Sequence, residues 1–284
     1  MSFTIPAARL EFMLQEDSPY GDLTTQGLGI GDLHGRLSMA AGALMTVCCA
    51  EEAETLFRLA GCEEVQRFCR SGAQIEEGSP ILQARGPASA LHRATKTAQT
   101  LMELTSGVAT AAARLRATAR QIRPEIAVAC TRKHLPGAKD VMLRAITAGG
   151  CVPHRLGLSD SVLVFAQHRG FLGRQPPHLW VAQLRAAQPE RKIAAEAGNV
   201  DEAVQFAHSG VDIVQCDKFS PEHVAEVVRA LNGHPQRPVL IATGGIDDRN
   251  IADYARTGVD VIVTSAPYTA PPLDVRVTIE RNGR

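Results

Sequence analysis

From residue 125 onward the sequence alternates between short apolar runs and amphipathic segments, and this alternation limits the possible folds more than any other feature. The runs read EIAVAC, SVLVF, KIAAE, DIVQC, VLIAT and VIVTS and continue to Ser265. Helix-start signals such as Ser220-Pro221 and helix-ending glycines such as Gly210 and Gly258 separate them. Strands that alternate with helices form parallel sheets. The segment therefore predicts a (β/α) barrel slightly short of eight units or an open doubly wound sheet. Without a GxGxxG motif after the first strand, we favour the barrel.

The first part of the chain has a different pattern. Short strand-like pieces at 35–39 and 43–49 and a helix at 50–59 come before a helical stretch over 90–122, which Ser106 and Gly107 are expected to interrupt. We therefore predict an α/β domain over residues 1–107 and a barrel domain over residues 108–268.

Composition narrows the classes of function. The formal net charge is zero, so no overall field attracts nucleic acid or a membrane surface, and any anion site must be local. No apolar run approaches the roughly 20 residues of a membrane span, and the N-terminus lacks a secretory pattern. The seven cysteines show no metal-binding spacing and lie mostly in apolar runs. We expect a cytoplasmic protein with reduced cysteines.

Polar side chains follow the predicted strands, and in barrels the carboxyl ends of strands carry the chemistry. Each of them alone has a simpler explanation: a solvated loop, a paired carboxylate or a tight glycine turn. Their position at one edge of one repeat favours a site, because unrelated features would be spread over both edges. The residues are Arg132 and Lys133, His154 and Arg155 before the second strand, Glu196, Asp217, Thr243-Gly244-Gly245, and Ser265.

This set suits the transfer of a phosphorylated sugar. Small-residue turns can present backbone N–H groups to a phosphate, helped by the helix that follows, and Arg and Lys neutralise a departing pyrophosphate. Glu196 and Asp217 can hold Mg²⁺ on that pyrophosphate or stabilise a ribosyl centre with oxocarbenium character. The pattern therefore indicates a phosphosugar or phosphoribosyl enzyme.

Several motifs resemble those of the quinolinate phosphoribosyltransferases, in order and spacing, over nearly the whole chain. They are GDLTT (21–25), TRKHLPG (131–137), GGCVPHRLGLSD (149–160), GNVDEA (198–203), VDIVQCDKFSPE (211–222), TGGI (243–246) and TGVDVIV (257–263). The resemblance implies a type II phosphoribosyltransferase fold: an N-terminal α/β sandwich domain joined to an incomplete (β/α) barrel. It also implies that residues 269–284 return to the N-terminal domain and that the protein is a dimer.

The resemblance also implies roles for individual residues. It implies that Arg132 and Lys133 bind the substrate carboxylate and pyrophosphate, and that His154 and Arg155 bind the aromatic acid. Glu196 and Asp217 would lie near the ribose and metal, and Thr243, Gly244 and Gly245 would bind the 5′-phosphate. Lys96 would reach into the active site of the partner subunit. The expected substrates are phosphoribosyl pyrophosphate (PRPP) with Mg²⁺ and a heterocyclic acid.

Departures from the family pattern concern the acceptor. Cys130 stands where the family has Asp before TRK, and Ser265 replaces the glycine of the last phosphate turn. Phe165 stands where the family has a lysine that faces the substrate. These departures resemble the ModD branch, which is associated with molybdate transport operons. Two alternatives stay open: an authentic quinolinate phosphoribosyltransferase of NAD biosynthesis, and a non-catalytic ligand sensor on the same fold.

Overall fold

The computed structural model describes residues 3–281. The α-helices there are α1 (Ala7–Asp17), α2 (Leu23–Gly27), α3 (Ala50–Ala60), α4 (Ala88–Ile122), α5 (Lys139–Ala148), α6 (Ala166–Gly170), α7 (Pro177–Ala187), α8 (Val200–His208), α9 (Pro221–Ala230) and α10 (Ile251–Arg256). The strands are β1 (His34–Ala41), β2 (Met45–Thr46), β3 (Glu64–Arg67), β4 (Gln74–Ile75), β5 (Pro80–Pro87), β6 (Ala127–Cys130), β7 (Val152–Pro153), β8 (Val162–Val164), β9 (Ile193–Ala197), β10 (Ile213–Asp217), β11 (Val239–Thr243), β12 (Val261–Thr264) and β13 (Val275–Arg281).

One compact unit contains an antiparallel sheet and comprises residues 1–113, 134–150 and 267–284. The strand order is β13–β1–β5–β3, so the last strand of the chain pairs with the first. The unit includes residues 108–113 and 134–150, which lie beyond the boundary predicted at 107/108. The division into domains at that boundary stays a prediction.

Helix α4 is not interrupted at Ser106 and Gly107, contrary to expectation. The hydroxyl of Ser106 accepts a hydrogen bond of 3.0 Å from the Cys48 backbone N–H. A β-carbon on Gly107 would lie 2.1 Å from the Pro271 carbonyl oxygen, so the glycine allows another backbone to approach the helix. Tertiary contacts, rather than a helix break, explain this Ser-Gly pair.

The second compact unit, residues 114–133 and 151–266, contains the parallel sheet that the strand–helix alternation predicts. The strand order is β7–β6–β12–β11–β10–β9–β8, and every pair is parallel. Within residues 3–281, β7 and β8 end the sheet and do not pair with each other. On one face, Ala129, Ile241 and Val263 form a buried apolar cluster. The predicted incomplete barrel is confirmed.

The start and end signals of the helices in this unit are mostly confirmed. Ser220 caps α9 with Pro221 in its first turn, and Gly210 and Gly258 have left-handed φ angles of 83° and 89°. Helix α10 begins at Ile251. Within residues 3–281 no helix is long and apolar enough to cross a membrane. The cysteines are free thiols, all buried except the half-buried Cys69.

Candidate active site

The carboxyl ends of the parallel strands bring all the predicted site residues except Lys96 to one edge of the sheet. Two of them, His154 and Arg155, precede β8 as expected, and they also directly follow the two-residue strand β7, which pairs with β6 and was not predicted. A strand this short leaves no periodic signal in a sequence. Lys96 is exposed on α4 in the other compact unit, where its ammonium group lies 3.4 Å from the Gln99 side-chain oxygen.

The ends of β6 and β7 carry a group of cations without carboxylate partners. Arg132 and Lys133 are exposed, whereas Arg155 is only 8% exposed. Within residues 3–281, no carboxylate oxygen lies within 4.0 Å of any of the three cationic groups. Burial and, secondarily, the charge of Arg132 lower the pKa of Arg155. A buried cation that lacks a partner is costly, and this part of the edge is therefore suited to receive an anion.

His154 is electrically neutral in this group. Its burial, followed by the charges of Arg155 and Arg132, lowers its pKa to about 4. The imidazole can therefore hydrogen-bond to a ligand at neutral pH without adding a further positive charge.

Strands β9 and β10 contribute two carboxylates. Glu196 is paired in register with Gln215, and Asp217 lies two residues further along β10 and so on the same face. The Gln215 amide donates a 2.8 Å hydrogen bond to Glu196. Burial, and then the charge of Asp217, raises the pKa of Glu196. Gln215 was not predicted as a site residue, because it lies inside an apolar run.

A glycine turn follows β11. Gly244 and Gly245 have left-handed φ angles of 93° and 73°, and the preceding Thr243 is buried. The Thr243 carbonyl accepts a 2.7 Å hydrogen bond from the Lys218 backbone N–H. Because α10 begins only at Ile251, a phosphate at this turn would depend on the N–H groups of the turn and not on a helix end, contrary to expectation.

Phe165 follows β8 at the other end of the sheet, yet its ring contacts Arg155. The Arg155 guanidinium carbon lies 5.4 Å from the centre of the ring. His168 stacks on the ring at 5.6 Å, and its Nδ1 accepts a 3.0 Å hydrogen bond from the Phe165 N–H. Side chains alternate between the two faces along a strand, so Phe165 shares a face with Leu163. Leu163 pairs with Ala194, which shares that face with Glu196. The ring is therefore on the same face as the carboxylates, and its contact with Arg155 brings the two ends of the sheet together.

The chain is similar to known proteins over most of its length. The sequence matches the quinolinate phosphoribosyl transferase C-terminal domain over residues 108–278 and the N-terminal domain of the same family over residues 22–106. A Rhodobacter capsulatus protein named as a ModD pyrophosphorylase is 44% identical over 256 residues, which cover 90% of this chain and 98% of the relative. An Archaeoglobus fulgidus protein named as a carboxylating nicotinate-nucleotide pyrophosphorylase is 30% identical over 92% of this chain and 99% of its own length.

Solved structures share the fold. The nicotinate-nucleotide pyrophosphorylase of Francisella tularensis matches with a TM-score of 0.87 at 23% identity, over 98% of both chains. NadC from Streptococcus pyogenes matches with a TM-score of 0.90 at 22% identity, over 99% of this chain and all of its own. The two matched domains and the Rhodobacter capsulatus relative show that the chain is a phosphoribosyltransferase-type enzyme that belongs to the quinolinate phosphoribosyltransferase family.

Proposed function

We propose that this enzyme transfers the 5-phosphoribosyl group of PRPP to a ring nitrogen of a carboxylated N-heterocycle or related acid and releases pyrophosphate. One observation carries the proposal: a single sheet edge bears unpaired cations, Arg132, Lys133 and Arg155, at β6 and β7, and the carboxylates Glu196 and Asp217 at β9 and β10. The substrates have the matching charges, with anionic groups on both and a ribosyl centre that becomes positive during the reaction.

In the proposed reaction, the bond between C1 of the ribose and the pyrophosphate oxygen breaks, and its electron pair leaves with pyrophosphate. The lone pair of the ring nitrogen forms the new bond to C1. Glu196 and Asp217 would stabilise the developing positive charge at C1, and Arg132 and Lys133 would stabilise the departing pyrophosphate. Arg155 and the neutral His154 would hold the acid in place.

The two carboxylates suit Mg²⁺ that arrives with PRPP. Mg²⁺ keeps several waters and is commonly bound by one or two carboxylates plus substrate phosphates. Within residues 3–281 no group of three or more His, Cys, Asp or Glu side chains could hold a metal by itself. Glu196 and Asp217 would hold the ion, which would neutralise pyrophosphate charge when bound. The 5′-phosphate would lie against Thr243, Gly244, Gly245 and Ser265.

We propose that the acceptor differs from quinolinate at Phe165. Quinolinate has two carboxylates, whereas the Phe165 ring offers an apolar face beside Arg155 at the place where the family has a lysine. An acid with one carboxylate fewer, or with an apolar edge, fits this pocket better. The association with molybdate metabolism is part of the proposal and rests on the resemblance to the ModD branch.

Calorimetry and a substrate screen test the proposal. PRPP should bind only with Mg²⁺ present, and pyrophosphate release should identify the acceptor among heterocyclic acids. The double variant E196Q/D217N should fold normally and lose turnover by about 10³-fold or more. The exposed Glu190 provides a matched control, E190Q, which should keep full turnover. A wild-type protein that binds no PRPP with Mg²⁺ would favour the sensor alternative, and near-normal turnover of the double variant would make the carboxylates structural.

We also propose a homodimer with shared active sites. Lys96 is exposed and belongs to a compact unit other than the one that holds the remaining site residues, which suits a role in the site of a partner subunit. Mixing inactive K96A chains with inactive R132A chains should restore part of the activity through hybrid sites. If subunits exchange and no activity returns, Lys96 does not act in the partner's site.

A further inference from the structure

Lys218 directly follows the carboxylate Asp217 and has a left-handed backbone, with φ of 59°. Within residues 3–281, Cys49 is the only other non-glycine residue with a positive φ. An L-residue in this region is strained and persists only where the surroundings fix it. Here the Lys218 N–H donates a 2.7 Å hydrogen bond to the Thr243 carbonyl. The turn needs only that backbone geometry, which glycine would supply without strain.

The side chain of Lys218 passes over the glycine turn. A β-carbon on Gly244 would lie 2.6 Å from Lys218 Cγ and 2.8 Å from its backbone nitrogen, so Gly244 leaves the space that Lys218 occupies. The residue is exposed, and no carboxylate oxygen of residues 3–281 lies within 4.0 Å of its ammonium nitrogen. The lysine stem thus lies on the glycine turn, and its charge also acts on Glu196, whose pKa it lowers against the larger effects of burial and Asp217.

We propose that Lys218 binds the 5′-phosphate of the phosphoribosyl substrate, together with the backbone of the turn formed by Thr243, Gly244 and Gly245. This inference rests on the proposed function and adds a binding residue to it. The Lys218 stem lies on the turn, so the ammonium group can meet a phosphate seated there. The turn supplies hydrogen bonds but no charge, and the lysine supplies the missing charge.

Binding of ribose 5-phosphate and of inorganic pyrophosphate to the full-length protein tests the assignment. K218M should weaken ribose 5-phosphate binding by about 10- to 150-fold, as expected for one charge-assisted hydrogen bond, and should change pyrophosphate affinity by less than about 3-fold. K218R should recover part of the ribose 5-phosphate affinity. K192M is the matched control, because Lys192 is exposed in the same compact unit and lies just before β9, at the opposite edge of the sheet. Its affinities should match those of the wild type.

K218G separates binding from folding, because it removes the side chain and relieves the left-handed strain. Its melting temperature should equal or exceed that of the wild type while its ribose 5-phosphate affinity falls as in K218M. A melting temperature well below that of the wild type would make the lysine structural and overturn the proposal. So would unchanged ribose 5-phosphate binding in K218M, or an equal loss for both ligands. A wild-type protein with affinity for neither PRPP nor ribose 5-phosphate would instead overturn the proposed function itself.

Discussion

Two buried arginines, one in each compact unit, show the difference between a charge that supports the fold and a charge that awaits a ligand. Arg144 on α5 donates hydrogen bonds of 2.7 Å to Glu51 and 2.9 Å to Glu52. Burial is the largest single influence and acts to lower its pKa, but neighbouring groups, the Glu52 carboxylate foremost, together outweigh it and raise the pKa. Arg155, after β7, is equally well buried, has no carboxylate within 4.0 Å in residues 3–281, and has a lowered pKa.

Burial alone therefore does not identify a functional charge. The side chain of Arg144 is 12% exposed, and Arg155 as a whole residue is 8% exposed. The two differ in what surrounds them. Carboxylates bond directly to Arg144, whereas Arg155 lies near Arg132 and the face of Phe165, and the charges of Asp160 and Glu196 act on it only from beyond 4.0 Å. A protein tolerates an unsatisfied buried cation where a ligand completes the pairing.

The largest expected effect concerns the paired arginine. R144M leaves the buried Glu52 without its cation, while Glu51 keeps Arg67 at 3.2 Å, so the variant should lower the free energy of unfolding by about 3–5 kcal/mol. R155M removes a buried charge that has no carboxylate within 4.0 Å in residues 3–281, so it should leave that free energy unchanged or raise it, while weakening binding of the acid. Urea unfolding followed by circular dichroism measures both. An equal loss of stability in the two variants would break the comparison.

The next effect is a pH dependence at His154. Its pKa in the folded protein is about 4, below the ordinary histidine value of 6.5, so folding favours the neutral form. This contribution is fully present above pH 6.5 and is lost as the pH falls through 6.5 toward 4. By linkage, the wild type should lose up to about 3 kcal/mol more than H154Q over this range. Urea unfolding at a series of pH values measures the difference, and parallel curves for the two proteins would contradict it.

A cation introduced next to Arg155 sharpens the comparison further. F165K replaces the apolar face with a second cation, so kcat/KM for quinolinate should rise by roughly 10- to 150-fold. F165L is the control, because it removes the ring and adds no charge, and it should not gain quinolinate activity. If the native protein already uses quinolinate as well as any acid in the screen, the hypothesis about Phe165 is wrong.

The smallest effect is expected for a paired but exposed arginine. Arg256 lies 2.7 Å from Asp253 on α10, and the two side chains are 62% and 57% exposed. R256M should change the free energy of unfolding by less than about 0.5 kcal/mol, because water screens the pair. A loss comparable to that of R144M would show that pairing, and not burial of the pair, sets the cost.

The architecture could be predicted from the sequence because a parallel sheet repeats one local pattern of strand and helix. Each apolar run became a strand near its expected position, from Ala127 to Thr264, and the polar residues that follow the runs lie at one edge. Features that leave no local sequence pattern could not be predicted. Strand β7 has two residues, and Ser106-Gly107 read as a helix break although its partners, Cys48 and Pro271, are distant in sequence.

The family, the incomplete barrel and the sheet edge that carries the candidate residues could all be predicted from the sequence. Periodicity and motif spacing are properties of residues that are close in the chain. Only the tertiary structure decided which charges are paired. The tertiary structure showed that Arg144 has carboxylate partners and that Arg155 has none within 4.0 Å among residues 3–281. It also showed that Phe165 meets Arg155 across the two ends of the sheet and that Lys218 lies over Gly244. The physical reason is that burial and pairing depend on groups far apart in the chain, and these set the cost of each charge.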